Sequence, residues 1–239
     1  MRSALSFLTI AGRSSPPTVA TLTWFPVVGT LVGLAVGGIW VGAEHAWPLV
    51  VAAAVTVAAD SLLTGGLHWD GLADTGDGLL PPLSVERRLD VMRDPRVGAF
   101  GVLSVAVVIM LRFATLAAGP AKVWIVAALW CLARTAAALV VLLGRYARDE
   151  GMAGAFQPAT GSRRWRAGAV GALGLVISVP LALLDRPGHG AAALGAELLT
   201  ISSLGWLAHR RLGGYTGDIL GAQIVLGETV GLLLWSARW

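Results

Sequence analysis

The chain has 239 residues, of which 56% are hydrophobic and only 13% charged, and its mean hydropathy is +0.73. Soluble domains carry about 25% charged residues, so a water-soluble globule is excluded, and the length suits a single integral membrane domain over residues 1–239. The pI near 10.2 comes with a net charge of only +4; the placement of the basic residues accounts for it as membrane topology, and no nucleic-acid partner is expected.

The N-terminal segment has Arg2 and a short apolar run, 4–11, broken by Arg13 and Pro16-Pro17. That is too weak for a cleavable signal peptide, because no small-residue cleavage site follows a proper apolar core. Crossing a bilayer takes about 20 apolar residues, and seven stretches qualify: 25–42, 49–66, 99–118, 123–143, 167–184, 191–207 and 219–235. Short connectors such as Glu44 to Pro48 and Gly119 to Lys122 make neighbouring spans antiparallel. The tryptophans Trp24, Trp40, Trp47, Trp124, Trp206 and Trp235 sit near the ends of runs, as interfacial rings do. The predicted fold class is all-α, a polytopic helical membrane bundle. Cys131, the one cysteine, lies in an apolar run and reads as a small buried hydrophobe.

Arg2 and Arg13, the arginines at 87, 88, 93 and 96, those at 145, 148, 163, 164 and 166, and Arg210 and Arg211 all fall on one side of these spans. Only Lys122, Arg186 and Arg238 fall on the other, so the positive-inside rule puts the rich side in the cytoplasm of a cell (inner) membrane. The long polar loops share that side and tight turns occupy the opposite one. A transporter presents gates to both faces, so the asymmetry favours an enzyme with one cytoplasmic active face.

The stretch after the second span, Gly65-Gly66-Leu67-His68-Trp69-Asp70-Gly71-Leu72-Ala73-Asp74-Thr75-Gly76-Asp77-Gly78, concentrates chemistry. In a helix, Asp70, Asp74 and Asp77 at i, i+4 and i+7 share one face. Three like charges there repel, and a cation relieves them; all-oxygen ligands suit Mg²⁺ better than zinc. On spacing alone a solvated acidic face remains the alternative. His68 reads as a base, a phosphate ligand or an interfacial polar residue. Further on, Ser84 is placed to cap a short amphipathic helix with Val85, Leu89 and Met92 on one face. It leads to Arg93, Arg96, Gly98 and Gly101, an anion cradle or a set of membrane anchors. Arg145 and Arg148 follow the fourth span. After the sixth comes Gly213-Gly214-Tyr215-Thr216-Gly217-Asp218, which joins amides, a hydroxyl and a carboxylate at a helix entrance, to bind phosphate or metal or simply to cap the helix with Asp218. It lacks the P-loop lysine. Within the spans, Asp60, Arg112, Arg134 and Glu228 are costly unless paired, and Arg134 is expected to pair with Asp60 or Glu228 or to line a polar cavity below the acidic stretch.

Taken together, these segments resemble the cobalamin synthase (adenosylcobinamide-GDP ribazoletransferase) family. The likeness runs through Gly65 to Asp74 with Asp77-Gly78, Met92-Arg93-Asp94 with Arg96-Val97-Gly98, Tyr146-Ala147-Arg148 with Glu150-Gly151, and Leu212-Gly213-Gly214 with Thr216-Gly217-Asp218 and Leu220-Gly221-Ala222. Tyr215 stands where glutamine is usual, Pro95 where a small polar residue is, and the N-terminal segment is abbreviated. The resemblance implies transfer of the adenosylcobinamide-phosphate moiety of adenosylcobinamide-GDP to α-ribazole or its 5′-phosphate, with release of GMP. For that chemistry Mg²⁺ is assigned to Asp70, Asp74 and Asp77, with Asp218 as a further ligand and His68 as the candidate base. Arg93, Arg96, Arg148, Gly214, Thr216 and Asp218 are the expected substrate and phosphate contacts, and an oligomer is allowed. A CDP-alcohol phosphotransferase is disfavoured because its Asp-x-x-Asp-Gly-x-x-Ala-Arg pattern is not present.

Overall fold

A computed structural model of the chain describes residues 1–10, 18–148 and 163–238. Arg13, Glu150 and Gly151 therefore lie outside the described residues. The described chain forms eleven helices: α1 (Arg2–Leu8), α2 (Val19–Leu22), α3 (Phe25–Ala46), α4 (Leu49–Leu63), α5 (Leu67–Leu79), α6 (Val85–Val91), α7 (Ala99–Ala117), α8 (Val123–Leu143), α9 (Arg163–Leu183), α10 (Pro187–Leu212) and α11 (Gly217–Ser236). Six of them (α3 and α7 to α11) are long and apolar enough to cross a membrane; α4 taken with α5 would make a seventh, but that pair is bent by 89°. The molecule is a multi-pass helical membrane protein.

α8 runs through the middle of the bundle, buried from Ile125 to Ala138 on every side. In lipid, apolar side chains gain little by leaving the solvent, so spans associate by close packing. A glycine stripe on α3 supplies it. A methyl carbon at Gly29, Gly33 or Gly37 would lie 2.5 Å from the Trp130 carbonyl, 2.7 Å from Cα of Ala127 or 2.9 Å from Cα of Val123. Gly29-x₃-Gly33-x₃-Gly37 is a small-residue repeat that hydropathy does not register.

The charged residues within the spans form one buried network. Arg112 donates to Asp60 Oδ2 at 2.6 Å, Glu228 Oε2 at 2.8 Å, the Val225 carbonyl at 2.9 Å and Thr229 Oγ1 at 2.9 Å. Its guanidinium carbon lies 5.1 Å from the Trp69 ring and 5.0 Å from the Trp130 ring, and the Trp130 indole donates to Asp60 Oδ1 at 3.1 Å. Arg134 pairs with Glu228, as its position implied; Asp60 goes to Arg112 instead. A further carboxylate, Glu197 of α10, is fully buried with Arg134 and Arg112 as its charged neighbours. It escapes a hydropathy reading because one glutamate barely dents an apolar run of that length.

At the break after α4, Gly65 and Gly66 take φ of 63° and 71°, a left-handed geometry that favours glycine. They turn α5 out of line with α4, and it packs along α7, from Gly101 to Val108 and Arg112, and against the start of α11. Its far end is held by arginines that the sequence presents only as topology charges. Arg88 donates to the carbonyls of Gly78 at 2.6 Å and Leu79 at 3.0 Å, and Arg211 also donates to Leu79. These are the carbonyls a helix end leaves unpaired. Ser84 caps α6 by accepting from the Arg87 amide at 3.3 Å, as expected, but Val85 is exposed while Arg88 is buried with Met92. Arg88→Ala is expected to destabilise the protein by about 1–3 kcal/mol, the cost of leaving buried acceptors unpaired. A lowered melting temperature in detergent would show it, and an unchanged one would show that water replaces the guanidinium.

Candidate active site

Two close approaches build the site. A side chain at Gly71 would meet the Asp218 carbonyl at 2.7 Å, and one at Gly221 would meet Cα of His68 at 3.3 Å. Glycine at these points lets α5 press against the start of α11, which brings Asp70 and Asp74 to Asp218. The three carboxylates feel one another. Burial, then the charges of Asp218 and Asp70, push the Asp74 carboxyl up to about 7, while Arg148 acts in the opposite direction.

Asp218 is not the cap of α11. Thr216 is: its hydroxyl accepts from the Ile219 amide at 3.3 Å, and it also donates to Asp218 Oδ2 at 3.2 Å. The same Asp218 oxygen accepts from Arg148 at 2.8 Å, and Arg148 in turn donates to the Met92 carbonyl at 3.2 Å. Arg148 thus ties the loop after α8 to the end of α6 and to the carboxylate cluster. Gly214 serves that join. The Tyr215 amide donates to the Arg145 carbonyl and the Ala147 amide to the Tyr215 carbonyl, both at 2.9 Å, and a methyl carbon at Gly214 would lie 2.2 Å from the Arg145 carbonyl. Tyr215, the departure from the usual glutamine, packs its ring 5.4 Å from that of Tyr146. Burial and that neighbour push its hydroxyl up to about 12, so it stays protonated.

Two expected site residues stand elsewhere. Asp77 does not join Asp70 and Asp74: its carboxylate accepts from the amides of Gly98 at 2.6 Å and Gly101 at 2.9 Å. α7 begins at a glycine without a side chain to cap it, and Asp77 does this work from α5. Arg96 is highly exposed and turns back on Asp94, to which it donates at 2.9 and 2.7 Å; its hydrogen bonds hold Asp94 down at about 2. Arg93 is exposed, with Tyr146 among its electrostatic neighbours. Nor do the described residues contain a group of three His, Cys, Asp or Glu side chains that would hold a metal ion unaided. One or two carboxylates completed by substrate phosphates is, however, an ordinary way for protein to hold Mg²⁺, and the all-oxygen donors of Asp70, Asp74 and Asp218 fit it.

Beside the cluster lies a cavity of about 170 Å³ lined by His68, Asp70, Tyr146, Arg148 and Asp218 together with apolar side chains from α1, α2, α3, α8 and α11. His68 is buried, and desolvation with the charges of Arg134 and Arg112 holds it well below the usual imidazole range. It is neutral at neutral pH.

The profile of the family described as cobalamin-5-phosphate synthase matches residues 1–236. The chain belongs to that family. Among its relatives, the adenosylcobinamide-GDP ribazoletransferases of Escherichia coli O17:K52:H18 (strain UMN026), Shigella boydii serotype 4 and Citrobacter koseri are each 40% identical over 215 residues, covering 87% of this chain and 84% of theirs. No solved structure matches the chain. The motifs that carry the cobalamin synthase resemblance are those that the fold gathers at one end of the bundle: the acidic helix, the Met92–Arg93 turn, Arg148 and the entrance to α11.

Proposed function

We propose that this cobalamin synthase family member transfers the adenosylcobinamide-phosphate moiety of adenosylcobinamide-GDP to α-ribazole or its 5′-phosphate, releasing GMP and closing the nucleotide loop. A ribazole hydroxyl oxygen forms a bond to the phosphorus on the cobinamide side. The bond from that phosphorus to the bridging oxygen breaks, and GMP leaves with that oxygen. The observation that carries this reading is the convergence of Asp70, Asp74 and Asp218 with Arg148 beside an apolar cavity, in a chain that matches the family over 1–236.

Asp70, Asp74 and Asp218 are the residues that would hold Mg²⁺ in concert with the diphosphate; the ion's contribution when bound is to neutralise charge on the phosphoryl oxygens and the departing GMP. Arg148, already aimed at the cluster, and Arg93 neutralise the diphosphate. Thr216 and Gly214 set the position of Asp218, and Asp77 sets that of α5. His68 is the candidate acceptor of the hydroxyl proton: it is neutral and lines the cavity. The arginine-rich loops face the cytoplasm of the cell (inner) membrane, where a soluble nucleotide substrate is met. The test is conversion of α-ribazole to cobalamin by the purified chain in detergent; folded protein that makes no product overturns the proposal.

Because Asp74 titrates near 7 in the absence of an ion, Mg²⁺ has to displace its proton. Affinity is therefore expected to rise with pH through 7, being about tenfold weaker at pH 6 than at pH 8. Calorimetric titration at both pH values reads this, and equal affinities would remove Asp74 from the ligand set.

A further inference from the structure

We propose that the apolar cavity beside the carboxylates seats the aromatic base of the acceptor, a small flat bicycle of the dimethylbenzimidazole class carried by α-ribazole; this rests on the ribazole-transfer reading above. Its buried lining is Leu8, Leu22, Phe25, Ala137, Val141 and Ile224, all apolar, with His68 the one buried polar side chain. Its polar lining includes Asp70 and Asp218 of the carboxylate cluster and Arg148, which bonds to Asp218. A ligand lodged here has an apolar body inside and its reacting group at the cluster.

The reaction brings together pieces of very different chemistry, and only one suits this wall. A corrin ring far exceeds about 170 Å³. Guanine carries donors and acceptors along its edges, and ribose carries hydroxyls; against the apolar side chains both lose water without finding partners, and their partners in this cavity are confined to His68, Asp70, Tyr146, Arg148 and Asp218. A benzimidazole joined to ribose keeps a single ring nitrogen to satisfy and is otherwise aromatic surface. An apolar cavity of roughly 150 Å³ takes up benzene, so this one is on the scale of an aromatic ring, with the rest of the bicycle extending toward the carboxylates. With the base seated, the ribose sits at the cluster, where its hydroxyl meets the diphosphate. The N-terminal segment contributes to the same wall, because Phe7 and Leu8 of α1 close one side of the cavity, though the sequence there reads only as a short broken apolar run.

The experiment is steady-state kinetics of the full chain in detergent, with α-ribazole and adenosylcobinamide-GDP varied separately. Val141→Phe fills the cavity and Ala137→Ser adds a hydroxyl to its wall at almost constant volume. Val141→Phe is expected to raise the KM for α-ribazole about tenfold or more, the scale of misfit in an apolar pocket, and Ala137→Ser to raise it severalfold. The KM for adenosylcobinamide-GDP stays at its wild-type value in both. If Val141→Phe does not accumulate, Ala137→Ser decides alone. Wild-type transfer with an unmoved α-ribazole KM in the variants overturns the base seat and assigns the cavity to another occupant, such as a lipid acyl chain. A folded wild-type chain that transfers to no acceptor overturns the underlying reading as well.

Discussion

Replacing Asp74 by asparagine is expected to lower turnover by about two to three orders of magnitude, the loss typical of removing one group that stabilises charge in a transition state. The substitution keeps the side chain's shape and removes its charge. Asp74 is half-buried on α5, between Asp70 on the same face and Asp218 on α11, and its raised pKa records how strongly that environment resists a further negative charge without a cation. Asp74→Asn relieves this repulsion, so the apo protein should fold and insert at least as well as the wild type while losing divalent-ion binding. The pairing of lost turnover with a retained or higher melting temperature separates a metal ligand from a structural residue. Wild-type turnover in the variant would remove Asp74 from the site. Asp77→Asn should behave differently, because that carboxylate faces the amides of Gly98 and Gly101: it should lower stability together with activity.

Arg112→Ala is expected to destabilise the bundle by about 3–5 kcal/mol, the cost of breaking a buried ion pair from one side, enough to abolish accumulation in a marginally stable protein. The single guanidinium joins four elements. It binds Asp60 at the end of α4 and both Glu228 and Thr229 on α11, and it lies between Trp69 of α5 and Trp130 of α8. Removing it leaves two buried carboxylates short of a donor and frees the helix that carries Asp70 and Asp74. Lysine should rescue poorly, since a point charge cannot reproduce the fork that reaches Asp60 and Glu228 together. Expression and thermal unfolding in detergent measure the effect; a wild-type melting temperature in Arg112→Ala would show that the network is not what fixes α5.

The spans were legible because crossing lipid imposes a long apolar run, and α8 (Val123–Leu143) matches its expected limits to the residue. α4 is shorter than its run because Gly65 and Gly66 permit a turn there, which hydropathy cannot register. Within the site, the types and spacing of Asp70, Asp74 and Asp218 marked them as candidates, and the fold brings the three together. Helical spacing also promised Asp77 to the same cluster, because Asp70, Asp74 and Asp77 do share a helix face. What divides them is tertiary: the far end of that face meets the bare amides of α7, and the near end meets α11 through Gly71. Arg88, Arg96 and Arg211 illustrate the same limit. By sequence Arg88 and Arg211 are topology charges and Arg96 a candidate phosphate contact, yet the first two cap α5 and Arg96 turns back on Asp94. The glycine stripe of α3 and the lone Glu197 were present as signals, but three glycines hardly alter the hydropathy of an apolar run and one glutamate only dents it.

The most direct measurement is GMP release by the purified chain supplied with adenosylcobinamide-GDP and α-ribazole, in Mg²⁺ and in EDTA. The expected result is GMP in equal amount to the cobalamin formed, in Mg²⁺ only. GMP release undiminished in EDTA, or no GMP from folded protein in Mg²⁺, would contradict a Mg²⁺-assisted ribazole transfer at the Asp70, Asp74 and Asp218 cluster.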